Sequence, residues 1–444
     1  MPYKITRRKF LEQSGRSAVI GGTLLTGSTT SASAGANAKV TLGYIGCGNR
    51  RKRLIPAFLQ LPDVQIAVVC DVHHKRAQIA GEIVERNGGG KPEICGDYRR
   101  ILDRQDIDAI VIATPEHWKC LPTIHACQAG KDVYVEKPLA RTIGEGQIMI
   151  KAARKYDRIV MIGTQQRNML CYHDAVKYIH SGKLGKISAV RAWNFENHAP
   201  QGYGNHPDQE PPPELDWNMW LGPAPQAPYN PCRYYGFHFY WDYGGGWQAD
   251  WGVHMYDIIH WAMKTDTPLS AAASGGKYVT KDRVELPDTF EVVFEYPGFI
   301  SLYSFRFGNS RLFEGMGYGN AFYGDNGTLV INRDGWRVIP EPTGKLDSQG
   351  KMIMRTEAVS GPGSPRAPEH QGKFIEAVKA HKKPEMADVE MGHRSTIPGH
   401  LANISYRVGR KVYWDAEKEV FKNDPQANKL IMPDTYRRPW MLEV

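Results

Sequence analysis

The sequence predicts an α/β protein: a parallel sheet covered by helices in its first half, followed by an α+β part built on alternating strands. Two observations lead there. From Lys39 onward, short apolar runs of strand length are separated by turns and helical stretches, the signature of repeated strand–helix units. Farther along, the runs Thr289 to Tyr296, Ile300 to Phe307 and Thr328 to Ile331 alternate apolar and polar residues, as strands of an antiparallel sheet do.

The candidate strands of the first half are Val40 to Ile45, Gln65 to Cys70, Ala109 to Ala113, Val133 to Val135 and Ile159 to Ile162. Each is nearly all apolar, as burial on both faces requires. A helix is expected near Tyr172 to His180 and a strand from Ile187 to Phe195, where a second domain begins. Helical segments near Glu369 to Ala380 and His393 to Val412 close the chain. The domain reading is 1–36 as a targeting segment, 37–165 as the parallel-sheet domain and 166–444 as the second domain.

Composition excludes more than it identifies. Of the formal charge of +9, the first 34 residues carry +4, and the remaining +5 includes no basic tract dense enough to follow a phosphate backbone, so nucleic acid is rejected as a partner. The seven cysteines stand singly, without a C-x-x-C pair, so no disulfide framework and no metal site is expected. No run reaches the length of a membrane span.

Thr6-Arg7-Arg8-Lys9-Phe10-Leu11, the apolar stretch from Ser17 to Leu25 and Ala32-Ser33-Ala34 occur in the order of a twin-arginine export signal. Periplasmic or secreted location is the expectation. Such export moves folded proteins, which suits a chain that acquires a cofactor beforehand.

The first strand runs into Gly46-Cys47-Gly48-Asn49-Arg50-Arg51, a G-x-G-x-x-G pattern in which Arg51 replaces the third glycine. The first glycine permits a tight turn and the second lets the backbone approach a pyrophosphate at a helix N-terminus. Losing the third is expected to loosen helix-to-strand packing. Asp71 ends the second strand, where a carboxylate accepts both ribose hydroxyls and repels a 2′-phosphate, so NAD is favoured over NADP. His73, His74, Lys75 and Arg76 follow directly and would host a phosphate if Asp71 turned aside. This is the reading of a Rossmann domain.

Two more segments, Ala113-Thr114-Pro115-Glu116-His117 and Glu136-Lys137-Pro138, lie at carboxyl ends of strands, where open parallel sheets place their ligands. Lys137 is expected beside the nicotinamide; a lysine near a cationic ring and partly desolvated is shifted down and can relay a proton. The cofactor set is therefore Gly46, Gly48, Asn49, Arg50, Asp71, Thr114, Pro115, His117, Glu136, Lys137 and Gln166.

With Gly46-Cys47-Gly48, Ala113-Thr114-Pro115 and Glu136-Lys137-Pro138 in this order, the chain resembles the glucose–fructose oxidoreductase and inositol dehydrogenase (Gfo/Idh/MocA) family over nearly all of its length after the signal. The resemblance implies a second domain on a large open, mostly antiparallel sheet, C-terminal helices packed back on the nucleotide domain, and homodimers or homotetramers assembled through that sheet. It also implies an Asp and a His four apart, here Asp250 and His254 in Gly246-Trp247-Gln248-Ala249-Asp250-Trp251-Gly252-Val253-His254, with Asp257 beyond. On a helix these two share a face, so Asp250 is expected to orient His254 and stabilise its protonated form while His254 acts as general base with Lys137.

Between Glu196 and Tyr243 lies a Pro- and aromatic-rich segment with His198, Tyr203, His206, Trp217, Trp220, Arg233-Tyr234-Tyr235 and His238-Phe239-Tyr240-Trp241. It reads as a long functional loop walling a substrate pocket. The substrate set is Lys137, His198, Arg233, Tyr235, Asp250 and His254. The leading expectation is an NAD-dependent oxidoreductase acting on a hydroxyl of a sugar, glycoside or polyol. The alternatives are a glycosidase with tightly bound NAD working by oxidation, elimination and reduction, as in glycoside hydrolase family 109, and a non-catalytic nucleotide-dependent sensor.

Overall fold

The computed structural model of the protein describes residues 39–365, 368–433 and 436–443. The expected export signal lies outside the described residues. The first sheet contains β1 (Val40–Ile45), β2 (Val64–Cys70), β3 (Glu93–Cys95), β4 (Ala109–Ile112), β5 (Asp132–Val135) and β6 (Val160–Ile162). All pairs are parallel, in the order β3-β2-β1-β4-β5-β6. The helices that cover it are α1 (Arg51–Leu59), α2 (His74–Arg86), α3 (Arg99–Leu102), α4 (Cys120–Gln128) and α5 (Ile143–Lys155). The short strand β3 had no apolar run to announce it, since Glu93 and Ile94 are exposed. Each of the other strands falls where its apolar run predicts.

After α6 (Leu170–His180) and β7 (Ile187–Phe195) comes the segment expected to be a loop. It instead carries three short helical turns, α7 (Trp217–Leu221), α8 (Pro231–Tyr235) and the 3-10 turn Phe237–Phe239. Asp216 and Asn230 cap α7 and α8 with their side chains, and the aromatic rings pack on one another, with Trp217 stacked on Trp220 at 4.6 Å. The long helix α9 (Gly246–Met263) follows. Its residues are buried nearly all round, because it is sandwiched between α11 (Val389–Val408) and the second sheet.

That sheet adds β8 (Ser270–Gly276), β9 (Thr289–Tyr296), β10 (Phe299–Arg306), β11 (Tyr318–Gly324), β12 (Gly327–Asn332), β13 (Gly335–Pro340), β16 (Ser360–Pro362), β17 (Val412–Asp415) and β18 (Val420–Phe421) to β7. Its order is β16-β13-β12-β11-β7-β10-β9-β8-β17-β18, and only the β7/β10 pair is parallel. A separate hairpin pairs β14 (Pro342–Leu346) with β15 (Met352–Met354). The inner face buries Phe294 and Tyr303 against Tyr256 of α9, and Phe290 against Tyr406 of α11. The last helices are α10 (Glu369–Ala380), α11 and the short α12 (Pro425–Asn428). Helix α11 begins and ends four residues earlier than its sequence pattern implies, because Asp388 caps it at its start and Gly409 turns left-handed (φ +69°) at its end. Phe374 of α10 packs edge-on against Phe58 and Tyr134 of the first sheet's core.

Candidate active site

A cavity of about 640 Å³ runs from the Gly46–Gly48 turn to helix α9, within the size range of small-molecule and cofactor sites. Gly46 has φ +91°, and a Cβ there would stand 2.6 Å from the Ala113 backbone, so no side chain fits the turn as it crosses the end of β4. A Cβ on Gly48 would meet nothing within 4 Å, which leaves the backbone of the turn open to the cavity. Arg51 does not simply crowd the third position. Its guanidinium folds back, and Nη1 donates to the Cys47 carbonyl at 2.7 Å and the Gly48 carbonyl at 2.9 Å, clamping the turn from outside.

Asp71 faces the same end of the cavity without turning aside. Its carboxylate accepts the backbone N–H of Cys47 at 2.6 Å and that of His73 at 2.8 Å, which fixes both oxygens. Burial raises its carboxyl above the ordinary range, against those two hydrogen bonds and Arg76. The Arg76 guanidinium lies over the Tyr234 ring, 4.6 Å from its centroid. Arg50 donates to Glu136 at 2.8 Å, bridging the glycine turn and the end of β5. Open glycine turn, fixed carboxylate and helix N-terminus together fit a dinucleotide, with Gly46, Gly48, Asn49, Arg50 and Asp71 at its phosphate and ribose end.

At the other end, Lys137 follows β5 and reaches across to α9. Its Nζ donates to Asp250 Oδ1 at 2.6 Å and to the Asp250 carbonyl at 3.1 Å. Burial opposes ionisation of Asp250, but Lys137 and then His238 outweigh it and hold the carboxyl at about 2. Asp250 therefore serves Lys137, and among the described residues no hydrogen bond joins it to His254. This corrects the expected orienting role, because the ammonium is the stronger donor and lies in reach. His254 Nδ1 is buried without a partner. Burial first, then the cations Lys137, Arg333 and Arg50, push its imidazole well below its ordinary value, so the ring is neutral rather than charged.

Helix α9 is held by contacts a side chain would block. A Cβ on Gly244 would stand 2.8 Å from His238 Cα, so the glycine run lets the Phe237–Phe239 turn close against the helix start. One turn beyond His254, Asp257 accepts Arg167 Nε at 2.8 and 2.9 Å and Ser395 Oγ at 2.7 Å, tying α9 to the segment after β6 and to α11.

Of the residues read from sequence, Gly46, Gly48, Asn49, Arg50, Asp71, Thr114, Pro115, Glu136, Lys137, Tyr235, Asp250 and His254 line the cavity. Four do not. His117 is buried against Trp220 and Tyr243, its Nε2 bonded to the Trp220 carbonyl, and burial holds it neutral at about 4. Gln166 is buried beside the Tyr172 hydroxyl, while its neighbour Gln165 faces the cavity. His198 pairs with Glu196 and packs on Phe307, and Arg233 donates to the Tyr243 hydroxyl and stacks on Tyr240.

Conversely, Glu116 and His238, which the sequence placed in ligand-facing segments without a role, face the cavity, as do Trp251 and Arg333, for which no role was expected. Glu116 and His117 are adjacent in one 3-10 turn, Glu116–Trp118, and only the turn's rotation decides which points inward. Arg333 lies between β12 and β13, over the Trp251 ring at 5.3 Å, with no local motif to mark it. Glu116, His238 and Asp250 also place ligand-type atoms within 4.8 Å of one another, a cluster that sequence spacing did not reveal.

Residues 40–164 match the NAD-binding Rossmann fold model of the Gfo/Idh/MocA oxidoreductase family, and residues 168–276 and 341–442 match the same family's C-terminal α/β domain. The chain belongs to the Gfo/Idh/MocA oxidoreductase family. This Gfo/Idh/MocA oxidoreductase is 32% identical over 127 residues to an alpha-N-acetylgalactosaminidase of Shewanella oneidensis. It is 31% identical over 127 residues to a glycosyl hydrolase family 109 protein of another Shewanella. Each match spans 28% of this chain and only 28% of the relative's length. In fold, the Gfo/Idh/MocA chain is similar to the WlbA dehydrogenase from Bordetella pertussis, solved with NADH and UDP-GlcNAcA, at 19% identity and a TM-score of 0.63 over 85% of this chain and 99% of that one. A levoglucosan dehydrogenase solved with NADH and levoglucosan is similar at 18% identity and a TM-score of 0.63, over 84% and 99% of the two chains.

Proposed function

We propose that this protein oxidises a hydroxyl of a sugar, glycoside or polyol by hydride transfer to NAD. The observation that carries the reading is the Lys137–Asp250 pair, 2.6 Å apart, at the carboxyl end of β5 where the dinucleotide cavity meets α9. NAD, when bound, supplies the hydride acceptor. The Lys137 ammonium, balanced by the Asp250 carboxylate, is placed to donate to the substrate oxygen and hold it. His254, neutral and with Nδ1 unpartnered, is placed to take up the hydroxyl proton. Trp251 and Tyr235 give flat apolar faces for a sugar ring, and Arg333 gives a polar donor.

NAD is preferred to NADP in this reading, since the half-buried Asp71 carboxylate, fixed by the Cys47 and His73 N–H groups, lines the cavity beside the glycine turn and Arg76 is engaged with Tyr234. Similarity to the family 109 proteins supports a second reading, in which NAD stays bound and the oxidation is the first step of glycoside cleavage. Export by the twin-arginine route is proposed on the residue pattern of the first 34 positions. A homodimer or homotetramer is proposed on the outer face of the large sheet, where Val293 and Ile300 of adjacent strands are exposed. The test incubates purified protein with NAD and a panel of sugars, polyols and nitrophenyl glycosides, following reduced nicotinamide. Absence of reduction with every member, under conditions in which NAD binds, sinks the reading.

A further inference from the structure

His238 lies outside the motifs that define the site, yet both halves of the protein hold it there. It belongs to the turn Phe237–Phe239, packed on Gly244, and lines the cavity. Its Nδ1 lies 2.7 Å from Glu116 Oε1 and 4.0 Å from Asp250 Oδ1, the oxygen that Lys137 engages at 2.6 Å. Glu116 is 2% exposed, and its second oxygen is buried without a hydrogen-bond partner, so its charge is directed at the imidazole rather than at water.

We infer that His238, oriented by Glu116, is a second proton-transfer residue of this site, acting on a different substrate oxygen from the one that faces Lys137. The inference rests on the proposed role of Lys137 in hydride transfer. Burial disfavours an imidazolium at His238, but Glu116 and then Asp250 outweigh it, against Lys137, and hold the ring above its ordinary range. Burial equally opposes ionised Glu116, and His238 followed by Lys119 outweighs it. The same three groups are of metal-ligating type. Lys137 on Asp250 and Lys119 near Glu116 already balance both carboxylates, however, so a divalent cation would meet two ammonium groups and a proton is the better occupant.

Oxidation of one hydroxyl needs a single proton acceptor. A second, protonated group suits a leaving oxygen. Once the hydroxyl has become a ketone and His254 has passed the first proton to solvent, the neutral ring can take the proton from the neighbouring carbon, and a carbon–carbon double bond forms. The bond from the next carbon to its oxygen then breaks, and His238 gives its proton to that departing oxygen. The product is a free alcohol and an unsaturated ketone, with no further oxidant consumed.

The test uses the full chain loaded with NAD and the nitrophenyl glycosides that reduce it, reading nicotinamide reduction and nitrophenol release separately. His238→Gln is expected to lower the ratio of nitrophenol release to nicotinamide reduction by about 100-fold or more. The alkaline limb of the pH–rate profile for release should vanish with it. Equal slowing of both readouts, no slowing, or reduction by the wild type without any release overturns the inference. Loss of release in chelator that zinc restores overturns it in favour of a cation. If no glycoside reduces the nicotinamide, the functional reading fails by itself, and NMR titration of the His238 ring decides the residue's state. A midpoint above the ordinary histidine value that falls in Glu116→Gln supports the pair, and equal midpoints in both proteins overturn it.

Discussion

Lys137 and Asp250 come from different halves of the fold and meet at 2.6 Å, while Asp250 and His254, four residues apart on one helix, do not bond. The charge that matters for chemistry is therefore shared across the two sheets and not along α9.

Replacing Lys137 with alanine should lower turnover by about 100- to 10,000-fold, because a positioned acid–base group is lost. Dinucleotide affinity should change little, since the glycine turn and Asp71 lie at the opposite end of the cavity. Calorimetric titration with NAD beside steady-state rates measures both; a variant that keeps wild-type turnover removes Lys137 from the mechanism.

Arg51→Gly restores the third glycine of the motif and should nevertheless weaken the protein. It removes charge-assisted hydrogen bonds to the Cys47 and Gly48 carbonyls, a loss of about 1.5–3 kcal/mol in stability and NAD binding combined. Thermal melts with and without NAD report it, and a more stable variant would show that the clamp is incidental.

Asp71→Ser should shift cofactor choice toward NADP. The carboxylate that opposes a 2′-phosphate disappears, and Arg76 stands close by on the Tyr234 ring. The ratio of kcat/KM for NAD over NADP should fall by about tenfold or more. An unchanged ratio would locate the discrimination elsewhere.

Acid should destabilise the fold well before its carboxylates titrate. Burial holds His117 and His370 at about 4 and His260 and His400 at about 3. The unfolded chain takes up protons below about 6.5, while the folded chain refuses them until those lower values, so stability falls as pH drops between them. Each such group contributes up to about 1.4 kcal/mol per pH unit. Denaturant unfolding across that window measures the slope, which His260→Asn should reduce; a flat profile contradicts the neutral assignment.

Much of the parallel sheet was legible because each strand is buried on both faces and reads as an unbroken apolar run. The exceptions are instructive. Strand β3 is short and half-exposed, and the turns between Glu196 and Tyr243 are defined by side-chain caps and aromatic stacking that composition does not encode. In the site, motifs delivered residues fixed by backbone position, such as Gly48 and Lys137. They did not separate Glu116 from His117 or Gln165 from Gln166, where one residue's rotation of a 3-10 turn decides the outcome. Nor did they reach Arg333, which enters from a distant segment, or single out His238 within the aromatic segment expected to wall the pocket.

The Arg51 guanidinium resting on its own turn has a broader consequence. A glycine spacing rule describes one way of giving a loop its shape, and a long cationic side chain that folds over the outside of the loop is another. Surveys that demand a small residue at the third position would pass over chains built this way, whereas a search on the geometry of the two carbonyls would gather them.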